Sequence, residues 1–396
     1  MKRTASIKAA SLLVMALILA AGCAGKKRHP SYRWSQGKLE GRKVLKDQWY
    51  RPLVLNFERS YNPYEGGSLL ADPETGRIYV GTSAGRFYAL GSGDGRLIWR
   101  FHSGDAIHST PTLDHEANIV YFGNDAGRLY ALNAGSGREI FQYEAGGEIR
   151  SRPVLHGRAL FFKDIRGKVH AIDARNGKGL WIFQWEPPEG YIVESTASVA
   201  IHGDTVLAGF SNGTAVGINL IEGSEKWRTD LSEFVPSQIE MELASSKIDV
   251  NTTPVVLGDE ILFSSFRGGL FSLDPEDGAI LWRRSDLSMI SGLNVDGDEI
   301  YVSITNKGVA RLSRDTGGET VWLSEFPCKA VSPVAVYKDL IVVTDSYYGL
   351  LVLSRETGQV FDRFTPMWGS SAPAFVKSER ILIHSNGGSV YSFLIR

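Results

Sequence analysis

Short apolar runs recur along the whole chain, each closed by turn residues. Runs such as Arg77-Ile78-Tyr79-Val80 and Glu299-Ile300-Tyr301-Val302 are brief and rich in β-branched and aromatic side chains, the pattern of strands rather than helices. Three stretches repeat in a fixed order. A small or polar residue comes first, often with Pro and then aliphatics. An apolar run ending in a turn follows. Last is a strand reading roughly Tyr-Ala-Leu that leads through a Gly-containing turn to an aromatic. Gly85–Leu90 leads to Asp94-Gly95 and Trp99, Gly127–Leu132 to Ser136-Gly137 and Phe141, and Gly167–Asp173 to Asn176-Gly177 and Trp181. Later copies run from Gly213 to Trp227, Gly268 to Trp282, Gly308 to Trp322 and Gly349 to Phe361. The aromatics at 99, 141, 181, 227, 282 and 322 are spaced by 42, 40, 46, 55 and 40 residues. A period near 40 with four strand-length runs predicts propeller blades.

The eighth copy starts at Ser371-Ala372-Pro373 and stops at Phe393-Leu394, before its last strand. The segment Arg51–Phe57 is placed to supply that strand, which would pair the two chain ends and remove an exposed seam. The expected fold is therefore all-β: an eight-bladed propeller of four-stranded antiparallel blades spanning residues 50–396. The recurring aromatics are read as packing elements that cover the turn glycines and fill space between blades. Asn294–Asp298 reads as a hairpin turn rather than a calcium loop, because further EF-hand ligands are missing.

The amino terminus changes the picture. Lys2, Arg3 and Lys8 precede an apolar run, Ala9–Ala21, too short to span a bilayer. Its end, Leu19-Ala20-Ala21-Gly22-Cys23, resembles a bacterial lipobox, with Ala20 where Leu is usual. The resemblance implies a signal peptide over 1–22, acylation of Cys23 and a basic tether over 23–49. Ala24, not being Asp, implies outer-membrane sorting. Losing three basic residues and no acid from 43 Lys+Arg and 44 Asp+Glu leaves a net charge of −4, with no basic surplus for nucleic acid. Cys328 is the other cysteine and reads as a small buried apolar residue.

The pattern Ala-x-Asp-x-x-x-Gly-x-x-x-Trp, closest at Lys168–Trp181 and Leu270–Trp282, resembles the tryptophan-docking repeat of the PQQ-like propellers. That kinship keeps a quinone-dependent oxidoreductase open as an alternative. Against it, the chain has no adjacent-cysteine pair, no Cys-x-x-Cys-His, and no His-Glu-x-x-His or Gly-x-Ser-x-Gly motif. No catalytic or metal-ligating set and no cofactor is expected. A propeller binding another envelope component, such as polysaccharide, is a third possibility.

A propeller on a lipid anchor resembles the BamB family of outer-membrane β-barrel assembly lipoproteins. Ile239–Leu243 followed by Asp249–Val256 is similar to that family's segment entering its fifth blade. The resemblance implies a non-catalytic scaffold, monomeric within a complex. It would lie on the periplasmic face of the outer membrane and bind periplasmic domains of a BamA-like barrel-assembly protein. It also implies partner contacts at Asp249 and Asn251, the latter replacing an acid, and at the loop Tyr191, Ile192, Val193 and Glu194, where Val193 replaces a basic residue.

Overall fold

The computed structural model describes residues 43–54, 63–185, 196–232, 250, 252–265 and 267–396. They form eight four-stranded antiparallel sheets, with no α-helix among the described residues. Blade 1 is built from Leu70–Asp72, Arg77–Gly81, Arg86–Gly91 and Leu97–His102, innermost to outermost. Blades 2 to 7 repeat this order over Thr112–Glu144, Val154–Gln184, Ala200–Asp230, Val255–Arg284, Ile290–Glu325 and Ala335–Phe364. Blade 8 takes Phe375–Lys377, Arg380–Ser385 and Ser389–Ile395 from the carboxyl end and its outermost strand, Leu45–Pro52, from the amino end. The eight-bladed, end-to-end closed propeller expected from the repeats is the observed fold. Gly297, at positive φ, turns the Ile290–Asp296 and Glu299–Ile304 hairpin, as the sequence suggested.

Burial follows position within the blade. Second and third strands are covered on both faces by neighbouring blades, so they read as nearly continuous apolar runs: every residue of Ile119–Gly123 is buried. Outermost strands have one covered edge and alternate instead, and Leu97–His102, Glu139–Glu144 and Gly179–Gln184 share one pattern of exposed and half-buried positions. The core lies between blades. Phe87 of blade 1 stacks on Phe122 of blade 2 at 3.9 Å, within a cluster that includes Val120 and Tyr130.

The recurring aromatics tie each blade to the next. Each outermost pairing carries a bulge beside the docking position, and in blades 1 and 3 it brings the aromatic opposite an alanine: Trp99 opposite Ala89 and Trp181 opposite Ala171. The ring then lies over the following blade's turn glycine. Gly137 sits at φ +72, and a Cβ there would come within 2.6 Å of the Trp99 ring. Phe141 covers Gly177, Trp181 covers Gly223, Trp227 covers Gly278 and Trp322 covers Gly358 in the same way. The indole N–H completes the joint by donating to a carbonyl of that turn: Trp99 to Ala134 at 3.1 Å, Trp181 to Leu220 at 3.0 Å. The buried polar end of both indoles is thus satisfied.

The two joints at the chain ends depart from the sequence reading. The closing strand is Leu45–Pro52, earlier than the apolar segment Arg51–Phe57. Leu53 and Val54 are buried in the interblade core, their N–H groups bonded to the Gly388 carbonyl, and residues 55–57 lie outside the described residues. An apolar run is the wrong signal for an outermost strand, which is half solvated. Trp49, within the presumed tether, is the docking aromatic here. It covers Gly95 of blade 1 and donates to the Ser92 carbonyl at 3.2 Å. In blade 7 the bulge puts Asp362, not Phe361, at the docking position, opposite Val352. The Asp362 carboxylate accepts the N–H groups of Val44 and Leu45, each at 2.9 Å, where the incoming strand begins.

Candidate partner-docking face

Strand order assigns the ends of the propeller. Turns between first and second strands, and between third and fourth, share one end. Second-to-third turns and the blade-to-blade connections share the other, because each blade's outermost strand finishes where the next innermost strand begins. Both segments singled out in the sequence belong to blade-to-blade connections. Tyr191, Ile192, Val193 and Glu194 lie between blades 3 and 4, and Asp249 and Asn251 between blades 4 and 5. All six, and Cys23, lie outside the described residues.

The described residues at the roots of those segments converge on the second-to-third turn of blade 4. Trp185, the last described residue after blade 3, stacks on Phe210 at 5.4 Å. On the other side, Leu231 donates to the Gly213 carbonyl at 2.9 Å and Val250 to the Phe210 carbonyl at 3.2 Å. A Cβ on Gly209 would fall inside the Val250 side chain, so only glycine allows this approach. Thr252 and Ser264 share a hydroxyl hydrogen bond of 2.7 Å, fixing the entry to blade 5. Lys163 of blade 3 reaches across, donating to the Gly209 carbonyl at 2.7 Å with its ammonium 5.6 Å from the Phe210 ring centre. Both connections are therefore rooted in a rigid, buried platform on either side of blade 4.

The same end carries exposed aromatics that sequence reasoning missed. Tyr347, in the second-to-third turn of blade 7, is 64% exposed, and Met367 and Trp368, between blades 7 and 8, are 52% and 48% exposed. Tyr64, leading into blade 1, is 48% exposed. Trp368 holds φ at +74, a conformation costly for a bulky residue. Buried Asn386 holds that backbone in place, its amide donating to the Trp368 carbonyl at 2.9 Å and to Ser346 at 3.1 Å. The available signal was the aromatic doublet Tyr347-Tyr348 in a turn position.

Titratable groups nearby are tuned for structure. His384 is fully buried, and burial pushes its pKa down to about 4. Nδ1 lies 3.4 Å from the Gly67 carbonyl and Nε2 has no partner among the described residues. Burial also lowers His108, against the opposing pull of Asp125. Burial, with help from Asp345, pushes the Cys328 thiol up to about 11, so it sits as an inert apolar residue as expected. Asp72, Glu74 and His115 come together at the opposite end. The Asp72 carboxylate is already engaged there by the N–H groups of Glu74 and Thr75, as in a turn cap.

A family model described as outer membrane protein assembly factor BamB matches residues 115–323 and 274–396, well over half of the chain. The chain belongs to the BamB family. Among its relatives, outer membrane protein assembly factor BamB of Yersinia pestis is 25% identical over 229 residues, 57% of this chain and 56% of that protein. The chain thus spans little more than half the length of that relative. Among solved structures, BamB from Moraxella catarrhalis superposes with a TM-score of 0.71 at 19% identity, over 89% of this chain and all of that one. The quinohemoprotein alcohol dehydrogenase ADHIIG of Pseudomonas putida gives 0.69 at 13% identity, over 92% and 78%. At such identities the two structural likenesses speak for the propeller alone.

Proposed function

We propose that this chain is a non-catalytic scaffold of outer-membrane protein assembly. It is held by an acylated Cys23 at the periplasmic face of the outer membrane and binds periplasmic domains of a BamA-like barrel-assembly protein. The observation that carries the reading is the family match over residues 115–323 and 274–396. The platform around Phe210 supports it, because rigid blades with variable connections at one end suit a protein-binding role. In this reading Tyr191 and Ile192 supply apolar anchors, Val193 and Glu194 extend that loop, and Asp249 and Asn251 present polar groups from the next connection.

The test is recovery of partners from native membranes in mild detergent, read by mass spectrometry. The tagged chain should bring down the barrel-assembly protein, and the triple variant Tyr191→Ala, Ile192→Ala, Asp249→Ala should lose it. Recovery that survives the triple variant removes the proposed contacts. Enrichment of a different envelope complex removes the assembly role.

A further inference from the structure

The chain enters blade 1 through a short strap, residues 64–68, at the connection end of the propeller. Two histidines hold its backbone. His108, in the connection from blade 1 to blade 2, accepts the Gly66 N–H at Nδ1 over 3.2 Å. His384, on the second strand of blade 8, meets the Gly67 carbonyl with Nδ1 at 3.4 Å. Further bonds tie the strap to both sides. Glu65 donates its N–H to Asn386 Oδ1 at 3.4 Å, and its carboxylate accepts the N–H and hydroxyl of Ser83. Ser68 donates its N–H to the Thr110 hydroxyl and its own hydroxyl to the Pro373 carbonyl. The Tyr64 ring covers Gly66 and leans on the His108 ring, with centroids 5.3 Å apart.

These bonds fix the tautomers. An accepting nitrogen carries no proton, so His108 keeps its proton on Nε2, which faces the Asp125 carboxylate at 3.8 Å. A bond to a carbonyl places the His384 proton on Nδ1 and leaves a bare Nε2 with no partner among the described residues. A second proton therefore harms each contact in its own way. On His108 it occupies Nδ1 and sets a donor against the Gly66 N–H. On His384 it brings an N–H and a positive charge into a fully buried position, within reach of the opposing charge of His108. Among the described residues no carboxylate pairs with His384. The nearby charges are otherwise engaged: Asp125 pairs with Arg150 at 3.0 Å, Arg150 with Glu148 at 2.8 Å, and Asp345 of blade 7 accepts the N–H groups of Lys329, Tyr347 and Tyr348. Burial holds both imidazoles below the usual histidine range, with Asp125 pulling His108 the other way and Arg150 reinforcing burial.

We propose that residues 64–68 form an acid-opened latch: protonation of His108 and His384 releases the strap from its bonds to blades 2 and 8 and frees the Tyr64 ring from this end of the propeller. Release returns both histidines to ordinary basicity, so opening takes up protons. The latch is closed above about pH 6.5 and opens as pH falls below it. It does not depend on the assembly role.

Hydrogen–deuterium exchange of the full chain, read by mass spectrometry and corrected for the intrinsic pH dependence, tests the latch. Between about pH 6.5 and pH 5, exchange over residues 64–68 should rise at least about tenfold, the effect of one linked proton over roughly one pH unit. The buried strand Thr205–Gly209 should not change. The double variant His108→Asn, His384→Gln keeps hydrogen-bonding groups that do not titrate and should hold the strap's exchange flat. Glu65→Gln, which removes the strap's own carboxylate, should leave the rise in place. A flat wild-type profile, or a rise matched at Thr205–Gly209, would overturn the proposal. So would a rise that persists in the double variant or disappears in Glu65→Gln. The wild-type and Glu65→Gln profiles decide the matter even if the double variant does not fold.

Discussion

The joint between blades 1 and 2 and the joint between blades 8 and 1 do the same task with different residues. In the first, Trp99 covers Gly137 and Phe101 fills the space behind it. In the second, Trp49 covers Gly95, but Arg51 stands where Phe101 would, and a cavity remains. The joint before it differs again: Asp362 replaces the docking ring and grips the backbone of the incoming strand. Ring closure therefore keeps the glycine-covering aromatic wherever a turn exists to receive it. Where the chain is broken and there is no such turn, it uses a carboxylate.

The most severe way to break the comparison is to remove the two tryptophans separately. Trp49→Ala and Trp99→Ala should each destabilise the chain by about 3 kcal/mol, the low end for burying losses of this size, read from urea midpoints. A negligible effect at Trp49 would mean the end-to-end joint does not hold the ring closed. His384 offers a comparison by pH. It occupies in blade 8 the strand position of Gly81 in blade 1. Its folded pKa of about 4 lies below the unfolded value, so the neutral form belongs to the fold. The stability it leaves intact is full above about pH 6.5 and falls as pH drops toward 4, by ~3 kcal/mol in all. His384→Gln should flatten the stability profile across that window.

A finer probe is Gly95→Ala. Positive φ and the overlying Trp49 ring should together cost about 2 kcal/mol, matched by Gly137→Ala under Trp99. Asp362→Ala removes the acceptor of two N–H bonds and should cost about 1 to 2 kcal/mol. Hydrogen exchange should rise at Val44 and Leu45 rather than in blade 4. The smallest effect is expected from Arg51→Phe, which restores the ring present in blade 1. Filling the cavity should stabilise by up to about 1 kcal/mol, measured as a raised urea midpoint, and no gain would mean the joint has already settled around the arginine.

The repeat was legible because interior strands and turn glycines are dictated by burial and by positive φ, which few residues satisfy. The chain ends were not. Outermost strands are half solvated, so Leu45–Pro52 carries a polar pattern that resembles a tether, while the apolar run after it belongs to the interblade core. In blade 7 the aromatic at 361 sits one residue from the docking position, and only the bulge in the strand pairing reveals that Asp362 occupies it. At the candidate docking face, position in the repeat assigned both segments to blade-to-blade connections. The exposed Tyr347 and Trp368 could not be told from core aromatics, because type alone does not say which way a ring faces.

The measurement that tests the central claim most directly is the abundance of folded outer-membrane barrels in cells lacking this chain. The account predicts a loss of assembled barrels that the wild-type chain restores and the Tyr191→Ala, Ile192→Ala, Asp249→Ala variant does not. Unchanged barrel abundance without the chain would contradict an assembly role.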